Sequence, residues 1–221
     1  MTLIYIVLII ILSFFFSLLV GLINIIKKNE NKKSIKFIPF ISYIWLILIF
    51  IISILGFRDE VFSLPNKLLN FTDIIVLLLF ITPFIFYSGY RINKEINRII
   101  SFCIIFPIGE EIIFRAIIPS LLLLVIGTNI MVPFPLLKEI SLQVLISSIL
   151  FGLMHIQYFK FKINKDVFIK IIFAFIFGVF MGNLVDITNS ILYPIIFHII
   201  ANSGTTINYF SKIRGNYYVS S

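Results

Sequence analysis

Residues 108–119, IGEEIIFRAIIP, set two adjacent glutamates and an arginine inside an otherwise unbroken apolar run. Near the centre of a membrane helix each such charge costs roughly 2.5–3.5 kcal/mol on insertion scales. A chain that keeps three of them together either pairs them or uses them, and composition says which medium surrounds them. Of the 221 residues, 60% are hydrophobic and 13% are charged, and the mean hydropathy is +1.12. That exceeds what a soluble core needs and predicts an all-α, polytopic integral membrane helix bundle. No polar stretch is long enough to fold alone, so residues 1–221 read as a single membrane domain.

A span needs about 20 mostly apolar residues. Seven stretches qualify: about 2–26, 37–57, 71–90, 99–126, 140–156, 167–187 and 190–210. The first lacks a basic leader and a small-residue cleavage site and ends in KKNENKK, so it is expected to be a membrane helix rather than a cleaved signal peptide. With the N-terminus outside, fourteen basic residues fall in inside loops or the tail: Lys27, Lys28, Lys32, Lys33, Lys36, Arg91, Lys94, Arg98, Lys160, Lys162, Lys165, Lys170, Lys212 and Arg214. Only Arg58, Lys67 and Lys138 fall outside, and Arg115 lies within the fourth stretch. The bias follows the positive-inside rule and predicts a multi-pass protein of the cell membrane with a cytoplasmic C-terminus. The net charge of +8 is thus spread through loops instead of gathered into a patch. The expected surround is the lipid bilayer, with no nucleic acid as partner. Cys103, the single cysteine, excludes disulfides within the chain and cysteine-ligated zinc, and reads as a small buried hydrophobe. Tyr5, Trp45, Tyr87, Tyr90, Tyr217 and Tyr218 are expected to anchor span ends at the interface. Gly178 and Gly182 form a small-xxx-small pair for close helix packing.

Deep within the spans five ionisable groups remain: Glu110, Glu111, Arg115, His155 and His198, which include both histidines of the chain. Glu111 and Arg115, four apart with the acid first, are placed to neutralise each other. Glu110 lies about 100° around the helix and needs a partner on another helix. Phe151 with His155, and His198 with Asn202, repeat the spacing of four. Polar groups on three spans would face lipid unpartnered unless they met in one bundle-interior pocket. Pro107, Pro119 and Pro194 beside them predict kinks or early helix starts.

A glutamate and a histidine held together can take a proton from water and return one to a leaving amine. A second histidine and an asparagine amide can donate hydrogen bonds to an oxyanion. The same residues could hold zinc, although HExxH is absent and the site would be assembled from separate helices. Peptide-bond hydrolysis, a non-catalytic regulatory membrane protein and a proton relay in a transporter all remain open at this level.

The motifs Glu110-Glu111-x-x-x-Arg115, Phe151-x-x-x-His155 and His198-x-x-x-Asn202, in that order, resemble the CAAX protease and bacteriocin-processing (Abi) family, which includes the type II CAAX prenyl proteases. The resemblance covers residues 99–210 and implies that this region is the catalytic core of an intramembrane endopeptidase, with a conical active-site cavity between the later helices. It implies that Glu110 and His155 activate water and that His198 and Asn202 stabilise the oxyanion. Glu111, Arg115 and Phe151 would support them. The substrate it implies is a membrane-associated protein or peptide; bacteriocin self-immunity is the non-catalytic alternative. The cofactor stays open between none and zinc, with Glu110, His155 and His198 as the metal set if zinc is bound. Thr188-Asn189-Ser190 is similar to a Thr-Gly-Ser segment of that family, a departure expected to touch only the turn.

Overall fold

A computed structural model describes residues 1–26, 38–87, 92–159 and 161–219. Lys27, Lys28, Lys32, Lys33, Lys36, Tyr90, Arg91 and Lys160 lie outside the described residues. The fold is mostly helical, and its several long apolar helices fit a multi-pass membrane protein. Among the described residues three helices are long and apolar enough to cross a membrane, or four if one bent pair counts as a single span.

That bent pair is the expected first span. It divides into α1 (Thr2–Ser13) and α2 (Phe15–Ile26), which bend by 72° at Phe14. The Ser13 hydroxyl donates back to the Ile9 carbonyl at 2.8 Å, a local bond that competes with the helical ladder at the break. α3 (Ile38–Gly56) runs through Trp45, which is only 2% exposed. Trp45 is therefore not an interfacial anchor: its ring packs against Phe16 and Phe106, inside the core. After the short α4 (Arg58–Phe62) comes α5 (Phe71–Tyr87), which faces the last helix.

The glutamates ride on one long central helix. It is α-helical over α6 (Ile96–Ile100), α7 (Phe106–Glu111) and α8 (Ile118–Ile126), and widens to π-helix over Ser101–Ile105 and Ile112–Ile117. Ile112, Ile113, Phe114, Ile117 and Ile118 are all buried. A helix apolar and buried all round belongs at the centre of its bundle. The charges of the 108–119 run therefore sit inside protein and do not face lipid.

The two π segments answer the two prolines. The N–H of Phe106 bonds Ser101, five residues back, and that of Ile118 bonds Ile113. In that register the Phe102 and Phe114 carbonyls look for donors at residues 107 and 119, where proline has no N–H. Each carbonyl takes a side chain from a different helix instead. Asn202 Nδ2 donates to Phe102 at 2.8 Å, and the Ser147 hydroxyl donates to Phe114. Pro194 behaves as an early helix start, in the first turn of α11 (Leu192–Val219).

Beyond α8, strands β1 (Met131–Phe134) and β2 (Lys138–Ser141) pair antiparallel with Met131 opposite Ser141. The fifth apolar run thus begins as strand. α9 (Leu142–Met154) starts where the Ser141 side chain accepts the Val144 N–H, and a 3₁₀ turn, His155–Phe159, completes the run. α10 (Lys165–Thr188) packs along α9 at the two glycines. A Cβ on Gly182 would sit 2.6 Å from Val144, and one on Gly178 would sit 3.1 Å from Ser148. Asn189 ends α10 at φ 54, the left-handed conformation that glycine and asparagine adopt most readily. Asn at the place of Gly leaves that turn intact. Cys103 is buried, its sulfur 3.2 Å from the Thr206 hydroxyl.

Ser147→Ala would strip the Phe114 carbonyl of its cross-helix donor and is expected to lower the unfolding free energy by about 1–3 kcal/mol. In a Pro119→Ala background, whose restored N–H can serve the same carbonyl, the loss should be smaller. Denaturant unfolding of the four combinations in detergent micelles checks this, and equal losses in both backgrounds would refute the exchange of donors.

Candidate functional site

Three elements bring the polar residues together: the central helix, the end of α9 with its 3₁₀ turn, and α11. Glu111 is fully buried and is met from two sides. Its Oε2 lies 3.1 Å from Arg115 Nε, as a spacing of four allows. The contact is ionic rather than an aligned hydrogen bond. Its Oε1 lies 2.7 Å from His198 Nδ1, which donates to it from α11. The guanidinium lies over the Phe151 ring, 4.4 Å from its centre, so Phe151 covers the cation that Glu111 neutralises.

Glu110, 3% exposed, points elsewhere, as its place on the helix predicts. Its Oε1 accepts the Tyr158 hydroxyl at 2.5 Å. Its Oε2 lies 3.8 Å from His198 Nε2, too long for a hydrogen bond. His198 is thus shared: one ring nitrogen is committed to Glu111 and the other faces Glu110. Two carboxylates and one guanidinium leave one negative charge, which a proton shared between His198 and the carboxylates would cancel.

His155 opens the 3₁₀ turn. Its Nδ1 lies 2.7 Å from the Phe151 carbonyl, so in the tautomer that donates there Nε2 keeps its lone pair. Phe151, His155, His198 and Asn202 line one cavity of about 80 Å³, together with Lys170 and Phe84. The polar residues of the α9 end and α11 thus share a pocket, whereas the glutamates of the central helix do not line it and reach it through His198. His155 and Glu110 are not joined directly. Tyr158 stands between them, bonded to the carboxylate and set edge-on to the His155 ring at 5.6 Å. The Asn202 amide is partly committed to the Phe102 carbonyl and keeps its second N–H for other use.

The set named for zinc does not come together. Among the described residues no three His, Cys, Asp or Glu side chains converge as a metal centre requires. Both nitrogens of His198 face carboxylates, and Nδ1 of His155 is held by backbone.

Tyr158 is the residue that reading the sequence missed. It lies three positions after His155, a spacing at which side chains of a 3₁₀ turn eclipse. The signal was present, but the apolar run ends at 156, where Gln157 follows, and so stops short of Tyr158. Gly109, next to Glu110, has a similar hidden role: a Cβ there would fall 2.4 Å from the Trp45 ring, so only glycine lets the central helix approach α3 this closely.

A family model described as type II CAAX prenyl endopeptidase Rce1-like matches residues 92–204, just over half of the chain, including all three motifs. No curated protein and no solved structure matched the chain.

Arg115→Met would leave Glu111 buried without its guanidinium and is expected to destabilise the fold by about 3–5 kcal/mol. Adding Glu111→Gln should recover part of that loss by removing the stranded charge. Thermal unfolding in detergent measures both, and a double variant no more stable than Arg115→Met would count against the ion pair.

Proposed function

Because the chain belongs to the type II CAAX prenyl endopeptidase Rce1-like family, we propose that it is an intramembrane endopeptidase that hydrolyses a peptide bond in a membrane-associated protein or peptide by glutamate- and histidine-activated water. Family membership supports a protease-type enzyme. The observation that carries the finer reading is the buried His198, flanked by Glu111 at 2.7 Å and Glu110 at 3.8 Å, on the wall of the cavity that His155 and Asn202 also line.

On this reading water sits in that cavity, activated by Glu110 and His155. Its oxygen attacks the scissile carbonyl carbon while Glu110 takes the proton. His155 Nε2, with Nδ1 held by Phe151, is free to accept the second water hydrogen bond and orient the attack. Charge then develops on the former carbonyl oxygen. His198, when it carries protons on both nitrogens, keeps Nδ1–H on Glu111 and offers Nε2–H to that oxyanion. Asn202 offers the amide hydrogen that Phe102 does not use. The C–N bond breaks and the proton passes from Glu110 to the leaving nitrogen. Glu111, Arg115 and Phe151 hold the imidazole in place. The chain would cross the membrane about seven times, N-terminus outside and C-terminus cytoplasmic, as the fourteen-to-three division of basic residues supports. The cavity would narrow from the cytoplasmic face as a cone, admitting a CAAX-type terminus or a peptide precursor.

The test is a comparison of membrane and secreted peptides from cells carrying the wild-type chain or Glu110→Gln at equal protein level. Defined fragments are expected to vanish in the variant, with initial rates on the corresponding synthetic junction peptide falling at least about 100-fold. An unchanged peptide profile, with a deletion phenotype rescued by Glu110→Gln, would replace the protease with a non-catalytic immunity or regulatory role.

A further inference from the structure

Tyr158 belongs to none of the three motifs, yet its hydroxyl makes the shortest polar contact that Glu110 has, 2.5 Å to Oε1. The other oxygen, Oε2, is directed toward His198 Nε2 across 3.8 Å and makes no hydrogen bond. One carboxylate oxygen is thus committed, and the other, without a hydrogen bond, faces the histidine that lines the cavity. We infer that Tyr158 is a positioning residue that reserves Oε1 of Glu110 and so selects Oε2 as the oxygen that takes the proton from the attacking water. The inference rests on the hydrolytic reading above. In the step it governs, the water O–H bond breaks, the water oxygen bonds the carbonyl carbon and the proton goes to Oε2. The hydrogen bond from Tyr158 to Oε1 persists throughout. When the C–N bond breaks, Oε2 returns the proton to the leaving nitrogen.

The surroundings of Tyr158 are built to hold it. The 3₁₀ turn puts His155 and Tyr158 on one side, three residues apart. The Tyr158 ring packs edge-on to Phe106 at 5.9 Å and to His155 at 5.6 Å. Phe16 of α2 stacks edge-on to that same Phe106 at 4.9 Å, and the Ser17 hydroxyl donates to Gln157 Oε1. Gln157 in turn reaches Met154 Sδ with its amide at 3.1 Å, tying the turn back to the end of α9. The N-terminal bent helix, outside the matched region, therefore pins the turn that presents the hydroxyl. A tyrosine needed only for packing would not require its oxygen aimed at a buried carboxylate.

The experiment uses the full-length protein in liposomes as wild type, Glu110→Gln and Tyr158→Phe. The substrate is a synthetic peptide spanning the junction of a fragment lost in the Glu110→Gln cells. Tyr158→Phe keeps the ring and removes only the hydroxyl. It is expected to lower kcat about 10- to 100-fold, with KM within about two-fold and the pH profile of kcat displaced. Tyr158→His, which restores a donor on a smaller ring, should recover part of the rate. Infrared difference spectra give a readout free of turnover: the carboxyl band that disappears in Glu110→Gln should move in Tyr158→Phe. Wild-type kcat, pH profile and carboxyl band in Tyr158→Phe, beside an inactive Glu110→Gln, would overturn the role of Tyr158 alone. If Glu110→Gln cells lose no fragment, the hydrolytic reading fails and the role of Tyr158 falls with it.

Discussion

Glu111 can be buried at the centre of this bundle only because Arg115 and His198 both reach it. A carboxylate stripped of water loses several kcal/mol of solvation, and one partner at 3.1 Å without aligned hydrogen bonds does not fully replace it. The second partner is 87 positions along the chain, so the neutralisation is also a tertiary contact that docks α11 against the central helix. That docking fixes the His198 ring, and with it the direction in which Nε2 faces. The place of Glu110 then follows, since it is one residue further round the same helix. The charge cluster and the packing of the bundle are therefore one structure, and neither can be altered while the other is kept.

The prolines contribute the second set of long-range ties. A proline within a helix usually reads as a kink, a loss of one hydrogen bond and a steric clash. Here Pro107 and Pro119 are each preceded by a π segment that widens the turn, and the register change leaves a carbonyl facing the missing N–H. Asn202 and Ser147 supply the donors from α11 and α9. The helix that carries the glutamates is thus bonded sideways about two turns before them, at Phe102, and about one turn after them, at Phe114. Asn202 consequently has two jobs, one with Phe102 and one proposed at the oxyanion. That double use ties the accuracy of the site to the same backbone irregularity that makes room for it.

What the sequence discloses is what local geometry controls. The Glu111–Arg115 pair follows from a spacing of four, the isolation of Glu110 follows from 100° of helical rotation, and the close approach at Gly178 and Gly182 follows from missing side chains. The shared cavity of His155, His198 and Asn202 was legible because polar groups in an apolar bundle have few other places to go. The sharing of His198 between two glutamates was not, because no periodicity links residue 198 to residue 111. Trp45 was misread for a related reason. Tryptophan at an interface and tryptophan wedged against Gly109 have the same local signature, and only the partner helix separates them. The break at Phe14 likewise leaves no proline or glycine to announce it.

The N-terminal region also changes what counts as the site. The matched region begins at residue 92, yet three contacts that locate its key groups come from before it. Trp45 lies against Gly109 and sets how close the central helix comes to α3. Phe16 packs on Phe106, the ring that also flanks Tyr158. Ser17 holds Gln157 in the turn between His155 and Tyr158. Trp45 thus constrains the residue beside Glu110, and Phe16 and Ser17 constrain neighbours of Tyr158, which bonds it. A bend of 72° in the first apolar stretch is what lets a single segment make both the Phe16 and the Ser17 contacts while α1 packs against α8. The part of the chain before residue 92 therefore belongs to the site in a physical sense: it is the wall against which the Glu110 carboxylate and the two imidazoles are held.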